Sequence, residues 1–134
     1  MTKLEAIEGI GPAYAAKLQD AGVESVEALL QTGANRAGRK QLADQTELSP
    51  ELILRWVNHA DLFRIRGVAG EYAELLEAAG VDSVPELSRR NPDNLAKGLA
   101  EANERRKLVR QVPSAKQVAS WVNEAKTLER AVHH

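Results

Sequence analysis

The chain has 134 residues, of which 43% are hydrophobic and 28% charged, a composition typical of a folded globular protein rather than a disordered one. Its 18 lysines and arginines nearly balance 19 aspartates and glutamates, so the net charge of -1 excludes binding of nucleic acid through bulk positive charge. The absence of cysteine excludes disulfides, thiol nucleophiles and thiolate metal sites. No apolar run approaches the roughly 20 residues of a membrane span, and the first residues lack the apolar core of a signal peptide. We therefore expect a cytoplasmic protein that makes no membrane contact.

An internal repeat organises the chain. When Leu4–Leu29 is aligned with Leu62–Leu87, at an offset of 58, 12 of the 26 positions are identical. Trp56–Ala60 recurs with one change as Trp121–Ala125 at an offset of 65, so the second copy carries seven additional residues, most simply within Arg105–Pro113. These matches predict two repeats, residues 1–61 and 62–134. Because no Gly-, Ser- or Pro-rich linker separates them, we expect the repeats to pack as one pseudo-symmetric domain.

The first copy is predicted to be entirely helical. Gly22 lies where a helix would end on a residue in the left-handed conformation. Ser49 and Pro50 mark the start of a later helix, with a capping serine followed by a proline at the first helical position. From Glu51 to Phe63 the apolar residues recur on one helical face.

The second copy repeats these signals. Gly80 corresponds to Gly22, Asn91-Pro92 gives another helix start, and Ser83–Glu86 and Ser114–Gln117 have the spacing of capping boxes. No segment both alternates apolar and polar residues with period two and is enriched in β-branched residues, so no strands are predicted. The pattern therefore predicts an all-α fold of about eight or nine short helices, four or five in each copy.

The segment from Ile7 to Leu18 predicts a tight turn between two helices. Gly9 and Gly11 allow a sharp bend whose backbone can approach another molecule closely, and Pro12 begins the next helix. The main-chain amides from Gly11 to Ala13 would then face outward without partners, which favours binding of a phosphate. Lys17, about one and a half turns into that helix, would supply a positive charge beside it.

This segment resembles the helix-hairpin-helix motif, since it has the pattern h-x-G-h-G-x-x-x-A-x-x-h at the matching positions. The resemblance implies binding to the DNA backbone without sequence readout. The residues that would carry it are Gly9, Ile10, Gly11, Pro12, Ala13 and Lys17.

The second copy departs from the motif. Ala69 replaces the second glycine, and Glu71 and Glu74 lie early in the following helix, where carboxylates suit the helix dipole but repel a phosphate. We therefore expect the first hairpin to lead any contact with double-stranded DNA, with Arg64 and Arg66 assisting.

The second half of the chain, from about Asp61 to Leu128, contains a further set of recognisable residues. They are Arg64–Val68, Tyr72–Leu76, Ala79–Val84, Arg89, Asn91, Asn94, Leu95, Val109, Arg110, Pro113, Trp121, Val122 and Ala125. With these residues, the second half is similar to the bacterial family of the domain of unknown function 4332, and residues 1–60 resemble a companion copy of the same type. This similarity supports the fold and implies no particular activity.

The basic residues outside the hairpins allow two functional interpretations. The cluster Arg105, Arg106, Lys107 and Arg110 would add secondary contacts to nucleic acid, or would form a solvated helix face beside nearby glutamates. The smaller group Arg36, Arg39 and Lys40 has the same ambiguity.

The tryptophans and tyrosines fall at matching positions of the two copies. Trp56 and Trp121 lie on apolar helix faces, so we predict core packing rather than stacking on bases. Tyr14 and Tyr72 each follow a hairpin, and we predict that each pins its hairpin to the core.

The sequence favours a binding role without catalysis. The three histidines lack metal-ligand spacing, and no nucleophile elbow, P-loop or dinucleotide fingerprint is present. We expect no enzymatic activity, cofactor, metal or small-molecule substrate. The two functional hypotheses are weak, sequence-independent binding of DNA through the first hairpin, favoured by its intact motif, and a protein-protein adaptor, favoured by the neutral overall charge.

Overall fold

The computed structural model describes all residues, 1–134, and consists of eight α-helices and one short 3-10 helix without strands. The all-α prediction is therefore confirmed. None of the helices is long and apolar enough to cross a membrane. The 3-10 helix covers Leu4–Ala6, and the α-helices are α1 (Pro12–Asp20), α2 (Val26–Thr32), α3 (Arg36–Thr46), α4 (Pro50–Leu62), α5 (Gly70–Ala78), α6 (Val84–Ser88), α7 (Pro92–Arg106) and α8 (Ala115–Ala125).

The helices form two compact units. The first contains Met1–Asp61 together with Ala131–His134, and the second contains Leu62–Arg130. Each unit buries its own apolar residues. In the second unit the buried side chains of α5 to α8 form one cluster that includes Trp121.

The predicted helix starts and ends are confirmed at the level of hydrogen bonds. The side chain of Asn91 accepts from the N–H of Asn94 at 3.0 Å, and the hydroxyl of Ser114 accepts from the N–H of Gln117 at 3.1 Å. At the end of α1, Gly22 has φ +91°, and the N–H of Val23 donates to the carbonyl of Leu18. Gly80 repeats this conformation with φ +92° at the end of α5.

The seven additional residues of the second copy are distributed over several elements. Helix α7 is four residues longer than α3, the loop after it is five residues longer than the loop after α3, and α6 is two residues shorter than α2. The prediction of one insertion within Arg105–Pro113 therefore located only part of the difference, because repeated helices change length at their ends as well as in their loops.

Arg39 is a structural residue of the first unit. It is 6% exposed, and its guanidinium donates to the carbonyls of Gly33 at 2.8 Å and His133 at 3.0 Å. The N–H of His133 in turn donates to the carbonyl of Ala34 at 2.7 Å. Burial lowers the pKa of Arg39, and the positive charge of Arg36 adds to that effect. Arg39 therefore holds residues 131–134 against the first unit and is not available to a ligand.

The start of the chain is fixed to α2 by Glu27. Its carboxylate accepts from the N–H of Thr2 at 2.7 Å, and the carbonyl of Thr2 accepts from the N–H of Val26 at 2.9 Å. The hydrogen bond from the Thr2 main chain is the main reason that the pKa of Glu27 lies below its usual value.

We expect Glu27→Gln to lower the melting temperature slightly at pH 7. Because the folded-state pKa of Glu27 is lowered, its stabilisation is complete above the usual pKa of about 4.3 and is lost as the pH falls through the lowered value. Thermal melts of both proteins from pH 7 down to pH 2.5 measure this. A difference that stayed constant over that range would show that the carboxylate charge has no part in fixing the N-terminus.

Candidate nucleic-acid interface

The turn before α1, which we call the Gly9 turn (residues 7–12), is built around one left-handed glycine. Gly9 has φ +96°, a backbone conformation that residues with a side chain rarely adopt. The N–H of Ile10 donates back to the carbonyl of Ile7 at 3.1 Å. Ile7 and Ile10 are buried, so they fix both sides of the turn to the core. A Cβ at Gly9 would lie 3.7 Å from Nε1 of Trp56, which packs beneath the turn.

Three main-chain N–H groups at the start of α1 are open. Gly11 is the N-cap of α1 and no side chain caps the helix, so the amides of Gly11, Ala13 and Tyr14 have no acceptor in the protein. Pro12 has no N–H, and the amide of Ile10 is already bonded within the turn. The predicted donor set from Gly11 to Ala13 therefore loses Pro12 and gains Tyr14.

Gly11 has no role that the fold itself requires. Its φ and ψ of -90° and -176° are extended angles open to any residue, and a Cβ there would meet nothing within 4 Å. Ala69 occupies the equivalent place before α5 with nearly the same conformation, φ -124° and ψ -169°. The missing side chain at Gly11 therefore leaves open space directly in front of the free amides.

Charge around the Gly9 turn is mixed. Lys17 is exposed in the second turn of α1, and the first turn of α1 contains no acidic residue. However, Glu8 is exposed next to Gly9, and residues 1–32 contain two lysines and five acidic residues. The first unit as a whole has six basic and nine acidic residues, a net charge of -3. An anion would therefore be held by local donors and not attracted from a distance.

The turn before α5, the Gly67 turn (residues 65–70), repeats the same backbone with different chemistry. Gly67 has φ +88°, and the N–H of Val68 donates to the carbonyl of Ile65 at 3.1 Å. The first turn of α5 contains Glu71. A carboxylate at that place occupies the favourable end of the helix dipole and opposes a phosphate.

The two predicted arginines beside the Gly67 turn have different environments. The guanidinium of Arg64 donates to the carbonyl of Glu129 at 2.7 Å, so the fold already uses it. Arg66 is exposed, and only its main-chain N–H is fixed, by Oε1 of Glu124 at 3.0 Å.

The basic cluster lies beside α5 in the second unit. Arg106 is 3.8 Å from a carboxylate oxygen of Glu74, whereas Arg105, Lys107 and Arg110 are exposed. Of the four predicted cations, Arg106 is therefore paired and the other three remain available to a ligand.

The loop that carries this cluster is fixed by hydrogen bonds within the second unit. The side chain of Asn103 bonds both main-chain groups of Val109, at 2.9 and 3.1 Å, and the hydroxyl of Tyr72 donates to the carbonyl of Gln111 at 3.1 Å. The cluster is therefore presented from an ordered loop and not from a solvated helix face alone.

The aromatic pairs are structural, as predicted. Trp56 and Trp121 are 1% and 2% exposed, which excludes them as platforms for bases. The ring of Tyr14 packs on Trp56 with centroids 5.1 Å apart, and Tyr72 packs on Trp121 at 5.5 Å. Tyr14 nevertheless remains 38% exposed, a feature that residue types alone did not reveal.

A groove of about 450 Å³ in the first unit was not predicted. Apolar atoms form most of its surface. Its lining consists of Arg36, Arg39, Lys40, Pro50, Glu51 and Leu54. Lys40 also pairs with Asp44 at 3.3 Å, so the basic group around Arg36 belongs to this groove and to the fold rather than to the Gly9 turn.

Comparison with known proteins assigns the chain to one family. No curated protein and no solved structure matches it. The family model described as "Domain of unknown function (DUF4332)" matches residues 8–128, which include the Gly9 turn, the Gly67 turn and α8. The match therefore covers most of both predicted repeats. On this evidence the chain belongs to the DUF4332 family.

Proposed function

We propose that the protein is a non-catalytic module that binds the sugar-phosphate backbone of double-stranded DNA without sequence readout. The contact would be made by the Gly9 turn acting as a helix-hairpin-helix element. The observation that carries the proposal is the open start of α1, where free amides face space that Gly11 leaves unfilled. The proposed contact residues are Gly9, Ile10, Gly11, Pro12, Ala13 and Lys17, with Ile10 and Pro12 shaping the turn.

The surrounding charge limits the strength of this binding. With one lysine at the site and a first unit of net charge -3, we expect weak affinity that falls as salt is added, with a slope set by the few phosphates contacted. Arg66, Arg105, Lys107 and Arg110 of the second unit would add secondary contacts. Arg64 and Arg106 would add less, because each already contacts its own chain.

The test uses Gly11→Asp and the matched control Ala69→Asp. Both positions are N-caps with extended backbone, and aspartate is a favourable N-cap, so both variants should fold. In Gly11→Asp the carboxylate should accept hydrogen bonds from the free main-chain N–H groups and repel a phosphate. We expect its affinity for a mixed-sequence duplex at low salt to fall at least about tenfold, since charge-assisted hydrogen bonds are lost. Ala69→Asp should change it less than about twofold.

Fluorescence anisotropy with a labelled duplex, at low and moderate salt, provides the measurement. Lys17→Gln should reduce the slope of log affinity against log salt by about one, the value for one phosphate contact. Absence of binding at low salt, or equal binding by wild type and Gly11→Asp, would overturn the proposal.

The second candidate function is a protein-protein adaptor. The apolar groove between α3 and α4 and the net negative charge of the first unit favour it. An adaptor surface with an apolar centre would bind its partner with little dependence on salt, in contrast to a backbone contact.

A further inference from the structure

Tyr14 and Tyr72 are equivalent residues with different hydroxyl environments. Both lie in the first turn of the helix that follows a glycine turn, and both rings pack on a buried tryptophan with similar geometry. The hydroxyl of Tyr72 donates to the main-chain carbonyl of Gln111 at 3.1 Å. The hydroxyl of Tyr14 has no acceptor in the protein, and the Tyr14 side chain is exposed to solvent.

The length difference between the repeats explains this asymmetry. After α7, eight residues precede α8, and Asn103 holds this loop so that Gln111 reaches Tyr72. After α3, only three residues precede α4, and they are too few for a comparable excursion. The second unit therefore covers the flank of α5 with its own chain, whereas the first unit leaves the flank of α1 open.

The residues that follow Tyr14 and Tyr72 also show that the two flanks differ. Lys17 of α1 is exposed, whereas Leu75, at the same place in α5, is fully buried in the core cluster of the second unit. Ala16 is exposed, and its counterpart Glu74 faces Arg106. The exposed face of α1 thus presents one neutral donor, one cation and the free amides of its first turn.

We infer that the hydroxyl of Tyr14 is a further DNA contact, donating a hydrogen bond to a sugar or phosphate oxygen of the backbone bound at the Gly9 turn. The inference rests on the proposed function. Tyr72 shows that a hydroxyl at this position can donate to a main-chain oxygen while its ring keeps its packing on tryptophan. The Tyr14 ring is held in the same way, so little side-chain freedom is lost on binding.

The expected effect differs from that of a charged contact. Removal of one neutral hydrogen bond should weaken binding about three- to tenfold. It should leave the salt dependence unchanged, because a hydroxyl releases no counterion. A shift in affinity at constant slope therefore separates the contribution of Tyr14 from that of Lys17.

The experiment compares Tyr14→Phe with Tyr72→Phe in the full chain. Each variant keeps its ring and loses only the hydroxyl, and anisotropy with the labelled duplex is measured at several salt concentrations alongside urea unfolding. We expect Tyr14→Phe to bind about three- to tenfold more weakly with an unchanged slope and an unchanged unfolding midpoint. Tyr72→Phe should weaken binding less than about twofold, because Asn103 still fixes the loop that carries the secondary basic contacts, and it should unfold at a lower urea concentration, because it loses an internal bond.

Three outcomes would overturn the inference. If Tyr14→Phe bound DNA as wild type while Gly11→Asp lost binding, Tyr14 would not be a contact and the proposed function would stand. If both tyrosine variants weakened binding equally, the contact would not depend on the open flank of α1. If Gly11→Asp also bound normally, the proposed function and this inference would fail together.

Discussion

Trp121→Ala should lower the free energy of unfolding by about 3–5 kcal/mol, the range observed for removal of a large buried aromatic side chain. Trp121 is 2% exposed and belongs to the core cluster of the second unit. A Cβ at Gly67 would lie only 3.3 Å from its Nε1, so the indole supports the Gly67 turn from below. Its loss leaves a cavity between α8 and that turn, and the ring of Tyr72 loses its packing partner.

Trp56→Ala should have a similar cost in the first unit, for the same physical reason. Since the chain contains only these two tryptophans, each variant retains one fluorophore that reports on the other unit. Urea unfolding followed by circular dichroism and by the remaining tryptophan fluorescence measures both units in one sample. If the units form one cooperative domain, as the sequence predicts, both signals shift together.

A matched control is Tyr14→Ala, which removes a ring that is 38% exposed and should cost clearly less than either tryptophan. Losses below about 1 kcal/mol in Trp121→Ala would contradict the packing described for the Gly67 turn.

Gly38→Ala should destabilise the first unit by about 1–3 kcal/mol, although glycine to alanine within a helix is normally stabilising by up to about 1 kcal/mol. Gly38 lies in the first turn of α3, and a Cβ there would overlap the carbonyl oxygen of Thr32, the last residue of α2. Because that oxygen belongs to the main chain, relief requires movement of a helix end rather than of a side chain. The three-residue connection between α2 and α3 leaves little room for such movement.

Gly98→Ala provides the control with the opposite sign. Gly98 lies in the middle of α7, and a Cβ there meets nothing within 4 Å. Alanine should therefore stabilise the second unit by up to about 1 kcal/mol through its higher helix propensity. Thermal or urea unfolding of both variants checks the pair, and an increase in stability for Gly38→Ala would refute the close approach of α2 and α3.

Local signals in the sequence predicted the helical elements well. Asn91, Ser83 and Ser114 cap the helices that follow them, and Gly22 and Gly80 end helices in the left-handed conformation. Such features depend on residues within one turn of each other, so residue type and spacing are sufficient to identify them.

Features that depend on distant residues were not predictable in the same way. The sequence placed Arg39 in a basic group, but its guanidinium is buried by contact with His133, 94 residues away along the chain. The additional residues of the second copy were assigned to one loop, whereas helix ends absorb part of the difference. Both depend on tertiary packing, for which one sequence contains no direct signal.

The candidate site likewise contains features that neighbouring residues predict and features that depend on distant ones. The glycine conformation at Gly9 and the start of α1 at Pro12 followed from the motif. The open hydroxyl of Tyr14 did not, because it depends on the length of the loop after α3 compared with that after α7. Tyr14 and Tyr72 occupy equivalent places in the sequence, and only the folded structure shows that their hydroxyl groups have different surroundings.

The attachment of residues 131–134 to the first unit has a practical consequence for dissecting the protein. A fragment that stops at residue 61 would deprive the buried guanidinium of Arg39 of the His133 carbonyl, leaving a cation poorly compensated in the interior. Residues 62–130, by contrast, form a contiguous stretch. The amino-terminal half should therefore be isolated only with the final four residues joined back to it through a designed connection, whereas the carboxyl-terminal half could be excised with a single pair of cuts.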